Sequence, residues 1–306
     1  MPGWWHTRQR TIGQFTLAGR PRRYDAHALD SESASAIRLV VNADDFGMSP
    51  GVSRGIVRAH REGIVTSTSV LGNCGDFEES CAILAEAPDL GVGVHLALVG
   101  RGPIADPAQV PSLLTAGGRF HERGAEFIAA WSKRKIDPGD VEREFEAQIA
   151  RVRDAGTKID HLDTHHHLGF LPVVGRSVEA LAKRHGIGAI RSGIETPTLS
   201  WVTDPRRGLK AGVLTGLGWL TRRQLGARKH SAQSWGYVES GRLDEVRVLE
   251  IIGRLGPGTH ELICHPGEVS GDFYDYSGEL RTLTSAKVRR AIGQRGVILC
   301  RWGDLF

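Results

Sequence analysis

Short β-branched apolar runs alternate with segments of helical periodicity from Ile37 to Cys300, and that alternation restricts the chain to a mainly parallel α/β architecture. Residues 37–41, 65–71, 90–98, 159–162, 187–190, 261–264 and 297–300 read as strands. Between the first two, Ser49 and Pro50 supply an N-cap and a first helical residue for a helix carrying Val52, Ile56 and Val57. Further helices are expected over 77–87, from a cap at Asp140 to a stop at Gly156, and over 172–185, 244–255 and 285–295. Residues 193–240 show no sustained period and read as an insertion or a loop at the mouth of the domain.

With 306 residues, 40% hydrophobic and 24% charged, the chain has the composition of a soluble globular protein whose residues 37–306 form one domain. No run approaches the roughly 20 apolar residues of a membrane span. Residues 1–36 read as a basic, disordered extension. Arg8, Arg10, Arg20, Arg22 and Arg23 come before the first acidic residue, and the segment lacks the apolar stretch of a secretory signal. Cys74, Cys81, Cys264 and Cys300 form no CxxC and read as reduced thiols of a cytoplasmic protein.

Asp44 and Asp45, Asn73, His95, Asp163 with His165, Arg191 and His265 each fall at or just after the C-terminal end of an expected strand. A barrel gathers those ends onto one face, where its active sites lie. An open doubly wound sheet leaves some of them far apart. The expected fold is therefore a mainly parallel (β/α) barrel, complete or incomplete.

Successive side chains on a strand point oppositely, so Asp44 and Asp45 share a face only if the strand has broken, as Phe46-Gly47 suggests. One carboxylate then binds a cation while its neighbour stays free as a base. The alternative is that one of them caps the next helix. His95 ends an apolar strand and, taken alone, reads more readily as a hydrogen-bonded core residue than as a ligand. His161-Leu-Asp-Thr-His165-His166-His167 is the densest cluster of ionisable groups, and either His165 or His167 is a ligand while the other shapes the pocket. Asp163 suits the outer N–H of a ligating histidine.

His265 sits in Cys264-His265-Pro266-Gly267, held at a turn as a general acid or packed beside it. Arg191 suits a substrate anion or a site aspartate, and Asn73 a polar contact near the substrate. One Asp and two His leave a divalent ion with open positions, where it polarises a carbonyl and acidifies water. A carboxylate that takes the water's proton and a histidine that protonates the leaving amine complete an amide or ester hydrolase. No Gly-x-Ser-x-Gly elbow, Walker loop or Rossmann fingerprint competes.

Several ordered segments then resemble the YdjC-like carbohydrate deacetylases, a family that includes chitooligosaccharide deacetylases and the hopanoid-biosynthesis deacetylase group. They are Val41-Asn-Ala-Asp-Asp-Phe-Gly47 with Ser49-Pro-Gly51, Gly63-Ile-Val-Thr-Ser-Thr68, Gly93-Val-His95, His161-Leu-Asp-Thr-His-His-His167, Cys264-His-Pro266 and Leu283-Thr-Ser-Ala286. The likeness spans residues 37 to about 302. It implies a barrel of the glycoside hydrolase/deacetylase type that removes an acetyl group from an N-acetylated sugar, either an oligosaccharide or a glycolipid.

Carried over by motif, Asp45, His95 and His165 are the ligands of one divalent ion, Asp44 is the general base, and His265 is the acid or transition-state stabiliser. The resemblance implies magnesium, whereas the donor set itself points to zinc or another transition metal. Two departures limit the transfer. Relatives carry a histidine two places after His167 where this chain has Gly169, and 193–240 has no firm counterpart, so the particular sugar is not inherited.

A phosphoesterase is the competing enzyme, and the scarcity of lysine and arginine near the motifs counts against it. A non-catalytic sugar-binding protein is opposed by the complete set of Asp-Asp, His, His and His. A nucleic-acid binder is opposed by the lack of a basic stripe within 37–306. The expected partner is a small N-acetylated saccharide or glycolipid, with homo-oligomerisation left open. Trp201, Trp219 and Trp235 either stack on that substrate or anchor the 193–240 segment to the barrel.

Overall fold

The computed structural model describes residues 35–191, 194–225, 233–271 and 274–305, so all but the end of the basic 1–36 extension lies outside the described residues. Its strands are β1 (Ile37–Phe46), β2 (Ser67–Val70), β3 (Gly91–Leu96), β4 (His161–Thr164), β5 (Ala189–Ile190), β6 (Gln233–Trp235), β7 (Gly258–Cys264) and β8 (Ile298–Leu299). They pair in the order β5-β4-β3-β2-β1-β7-β6, with β8 beside the first half of β1, and every pairing among them is parallel. Beyond β5 the chain reaches the opposite edge. Ser234 N–H donates to the Ile194 carbonyl and Thr196 N–H to the Ser234 carbonyl, each at 2.9 Å. The expected barrel is therefore drawn closed by an irregular continuation of β5 rather than by a full strand.

Helices α1 (Pro50–Glu62), α2 (Phe77–Ala85), α3 (Gly124–Ser132), α4 (Pro138–Asp154), α5 (Pro172–His185), α6 (Ser200–Thr203), α7 (Pro205–Leu225), α8 (Glu245–Arg254), α9 (Tyr276–Leu283) and α10 (Ala286–Gln294) complete the described chain. The strands sort their residues by parity. Leu39, Val41 and Ala43 of β1 join the main core, while Val40 joins a separate cluster with Ala189, Cys300 and Trp302. Asn42 and Asp44 continue the Val40 row towards the C-terminal end of β1. Space along the neighbouring strands is short. A Cβ at Gly93 would lie 2.4 Å from the His161 ring.

Two local expectations need correction. Ser49 caps α1 as expected, accepting from Val52 N–H at 3.3 Å. The cap of α4, however, is Asp137 and not Asp140: Asp137 accepts from Gly139 N–H at 2.6 Å, with Pro138 as first helical residue. Asp140 lies inside the first turn and accepts from Ser112 N–H at 2.8 Å.

Nor is 193–240 a loop, since it contains α6, the 21-residue α7 and the edge strand β6. On α7, Gly208, Ala211, Leu214 and Gly218 are buried, while Leu209, Val213 and Leu220 are exposed. Apolar residues on both faces erase the contrast that reveals a helix in sequence.

One close approach ties the helical layer to the loop after β7. A Cβ at Gly55 of α1 would meet Gly267 Cα at 2.3 Å. Gly55→Ala is expected to destabilise the fold by about 1–3 kcal/mol, the usual cost of overpacking. Thermal melting checks this, and an unchanged Tm would mean that the loop yields freely.

Candidate active site and metal centre

β1 ends in a bulge. Its register with β2 shifts between Ala43 and Phe46, and Asp45 takes a left-handed conformation with φ 67°. That conformation costs a residue with a Cβ about 1–2 kcal/mol. In return it breaks the strand's alternation, and both Asp44 and Asp45 line one cleft. The helix-cap alternative fails, because Ser49 holds that role.

Strand register supplies the next pair. β3 and β4 align His95 with Asp163, so the two side chains leave the sheet together. His95 Nδ1–H donates to Asp163 Oδ1 at 2.7 Å, which leaves Nε2 facing Asp45 Oδ1 at 3.4 Å. The imidazole thus satisfies one nitrogen as a core histidine would and presents the other to the cleft. After β4 the chain enters a tight turn, His165–Phe170, in which His166 and His167 have φ of 53° and 56°. This turn brings His165 Nδ1 to 3.1 Å from Asp45 Oδ1 and 3.3 Å from His95 Nε2.

Asp45 Oδ1 is buried and, among the described residues, accepts no well-directed hydrogen bond despite these neighbours. A carboxylate oxygen and two imidazole nitrogens converging within 4.8 Å fit a divalent cation. Asp44, His95 and Asp163 converge as closely, but their oxygens are already occupied. Arg191 donates to both Asp44 oxygens at 2.6 and 2.7 Å, Asn42 Nδ2 to Asp44 Oδ1 at 2.9 Å, and Ser69 Oγ to Asp163 Oδ2 at 2.9 Å. The first trio is the one with room for an ion.

Arg191, just beyond β5, is the electrostatic hub. Besides Asp44, it contacts Asp163 Oδ2 through Nη2 at 2.8 Å and donates through Nε to Glu261 Oε1 at 2.8 Å. Burial pushes the Asp44 carboxyl up, but Arg191, His95 and His265 outweigh it and hold Asp44 well below the carboxylate range. Burial likewise opposes the charged form of Asp45, and His165 and His95 outweigh it. For Glu261 burial wins, and its pKa is raised.

His265 follows β7. Its backbone N–H donates to Glu279 Oε2 at 2.5 Å, and its ring packs on Tyr274 with centroids 4.7 Å apart. Its buried Nδ1 has no hydrogen-bond partner among the described residues, and the residue lines the cleft. His167 also lines the cleft, edge-on to Tyr237 at 4.4 Å. Asn73 does not. Its side chain donates to the Gly102 carbonyl at 3.2 Å, so it braces a loop and is absent from the described cleft lining.

The 193–240 segment contributes Arg207, Lys210, Tyr237, Val238 and Ser240 to the cleft wall. The apparent scarcity of basic residues near the motifs therefore does not survive folding. None of Trp201, Trp219 and Trp235 is in the described cleft lining. Trp235 is buried and donates to His260 Nδ1 at 3.3 Å, and the backbone of Trp201 packs against α7 at Gly208. Ser69, Glu261, Tyr237 and Tyr274 were not singled out in sequence. Glu261 had one available signal, a carboxylate at the head of the otherwise apolar run 261–264, whereas Ser69 is one of several hydroxyl residues in its strand and carried none.

The electrostatics set a pH dependence for metal binding. Burial disfavours the charged imidazole of His95, but Asp163, Asp44 and Asp45 raise its pKa well above the ordinary value. An ion bound at Nε2 must displace that proton. Affinity is therefore expected to climb with pH from below neutrality towards the raised pKa. Competition against a fluorescent chelator measures this, and an affinity independent of pH would remove His95 from the ligand set.

The family model described as YdjC-like protein matches residues 38–294. A carbohydrate deacetylase of Brevibacillus brevis is 33% identical over 271 residues, covering 88% of this chain and 100% of that protein. A chitooligosaccharide deacetylase of Salmonella typhimurium is 31% identical, covering 84% of this chain and 95% of its own. The crystal structure of a candidate cellobiose-phosphate cleavage protein from Enterococcus faecalis V583 is 26% identical. It superposes with a TM-score of 0.71, covering 89% of this chain and 99% of that one. With the sheet order, the bulged Asp44-Asp45 pair and the histidine turn in place, these matches show that the chain belongs to the YdjC-like family.

Proposed function

We infer that the protein is a metal-dependent carbohydrate deacetylase, hydrolysing the acetamide of an N-acetylated sugar to acetate and a free amine. The observation that carries this reading is the orphaned Asp45 oxygen, met by His95 and His165, in a cleft that Asp44 and His265 also line. Relatives that match nearly their whole length to this chain bear the deacetylase name.

Asp45, His95 and His165 would hold the ion. Two imidazoles with one carboxylate suit zinc or a similar transition ion better than magnesium, which prefers oxygen donors. When bound, such an ion supplies Lewis acidity towards the acetyl carbonyl and makes water easier to deprotonate. Asp44, kept ionised by Arg191, accepts a proton from the attacking water, and His265 donates one to the departing amine nitrogen. Asp163 fixes the His95 tautomer, so the nitrogen that faces the cleft is the one able to ligate.

No helix among the described residues is long and apolar enough to cross a membrane, and the four cysteines are unpaired. We propose a cytoplasmic location, where four unpaired cysteines would stay reduced. Acetate release from a panel of N-acetylglucosamine compounds tests the activity. The expected result is acetate matched by free amine, abolished by a chelator and restored by a divalent ion. Arg207 and Lys210 would also suit a phosphate ester, so a phosphomonoester belongs in the same assay. Phosphate release without acetate, or acetate release indifferent to chelator, would overturn the reading.

A further inference from the structure

We propose that the outer face of α6 and α7 docks on an anionic lipid surface. The docking does not depend on the deacetylase reading. Nine large hydrophobic side chains stand exposed among the described residues, and six of them lie between Leu199 and Leu220. On α7, Leu209, Val213 and Leu220 are 72%, 57% and 48% exposed, and their i, i+4, i+11 spacing puts them on one stripe. Leu199 and Val202, at the adjoining α6, are 61% and 71% exposed. The opposite face of α7 is already used, buried through Ala211 and Leu214. A helix apolar on both faces is expected in a protein interior or at a lipid boundary, and this one lies at the surface.

Charge identifies the occupant. From Pro205 to Leu225, the span of α7, the sequence carries five lysines and arginines and no acidic residue. A second copy pairing through the same helix would bring like charges together, because a two-fold contact sets a surface patch against itself. An anionic bilayer surface attracts the cations and takes the leucine and valine side chains into its boundary layer, the usual arrangement for an interfacial helix. Position adds to the argument. Lys210, about 100° around α7 from Leu209, lines the cleft, so this helix carries both the apolar stripe and part of the cleft wall.

Flotation of the full chain with vesicles tests this, comparing phosphatidylcholine containing phosphatidylglycerol with phosphatidylcholine alone. Binding should be at least roughly tenfold stronger to the anionic vesicles and should weaken in high salt. Leu209→Ser combined with Val213→Ser should reduce it by at least about tenfold, since both side chains are removed from the interface. The melting temperature and turnover of a soluble substrate should not change. Arg206→Glu, exposed and outside the cleft lining, should weaken anionic binding alone.

The proposal is overturned by no binding to either vesicle, or by equal binding to both. It is also overturned if binding survives the double serine variant, which would assign it to another segment such as the arginine-rich residues before 24. A wild-type dimer that the double variant turns into monomer would make the face an interface between copies, and that too would overturn it.

Discussion

Asp44→Asn should lower turnover by about two to four orders of magnitude, the usual loss when a general base is removed, while leaving the bound metal in place. The amide preserves shape and can still accept a hydrogen bond from Arg191, but it cannot take up a proton at working pH. Asp44 stands outside the trio with the orphaned oxygen, and both of its own oxygens are engaged by Arg191. Asp163 and Glu261 continue to neutralise Arg191 in the variant, so the fold should hold. Turnover measured alongside elemental analysis checks the pair of effects. If Asp44→Asn released the ion and Asp45→Asn kept it, the two carboxylates would have exchanged roles.

Arg191→Leu carries the largest expected effect on stability. Asp44, Asp163 and Glu261 are all buried and share this guanidinium. Removing one partner from a buried ion pair typically costs about 3–5 kcal/mol, because the remaining charge is neither solvated nor neutralised. Here three carboxylates are left, so the loss should reach at least the upper part of that range. Urea unfolding at neutral pH measures it. A loss under about 1 kcal/mol, the scale of a surface pair, would mean that water reaches the cluster and that Arg191 is not its anchor. Arg191→Lys should recover part of the stability but not the two-pronged grip on Asp44.

The sequence was legible where the cause of structure is local. Adjacent carboxylates followed by Phe46-Gly47 announced a broken strand, and the bulge with left-handed Asp45 is that break. Ser49-Pro50 announced a helix start for the same reason. His95 shows the limit. Taken alone, its apolar surroundings suggested a core histidine, and only the family motif made it a ligand, because what directs its second nitrogen into the cleft is an aspartate 68 positions away, brought alongside by strand register. Register depends on the whole sheet and leaves no mark near either residue.

Glu261 was missed on the same principle, being a carboxylate whose meaning comes from Arg191, 70 positions distant. α7 was hidden for a different reason. Periodicity detects a contrast between faces, and this helix has apolar side chains on both. The reading of Asp140 as a cap went wrong by three positions, because an Asp-Pro pair just upstream supplied the stronger signal. Asn73 fell at the right end of its strand but on a bracing loop outside the described cleft lining, a distinction that no strand-end rule makes.

Whether Asp45, His95 and His165 hold one ion is decided by an anomalous-difference map from crystals grown with zinc. A single strong peak is expected among the Asp45 carboxylate, His95 Nε2 and His165 Nδ1, at about 2.0–2.2 Å from each donor. A peak among Asp44, His95 and Asp163 instead, or no peak in the cleft at all, would contradict it.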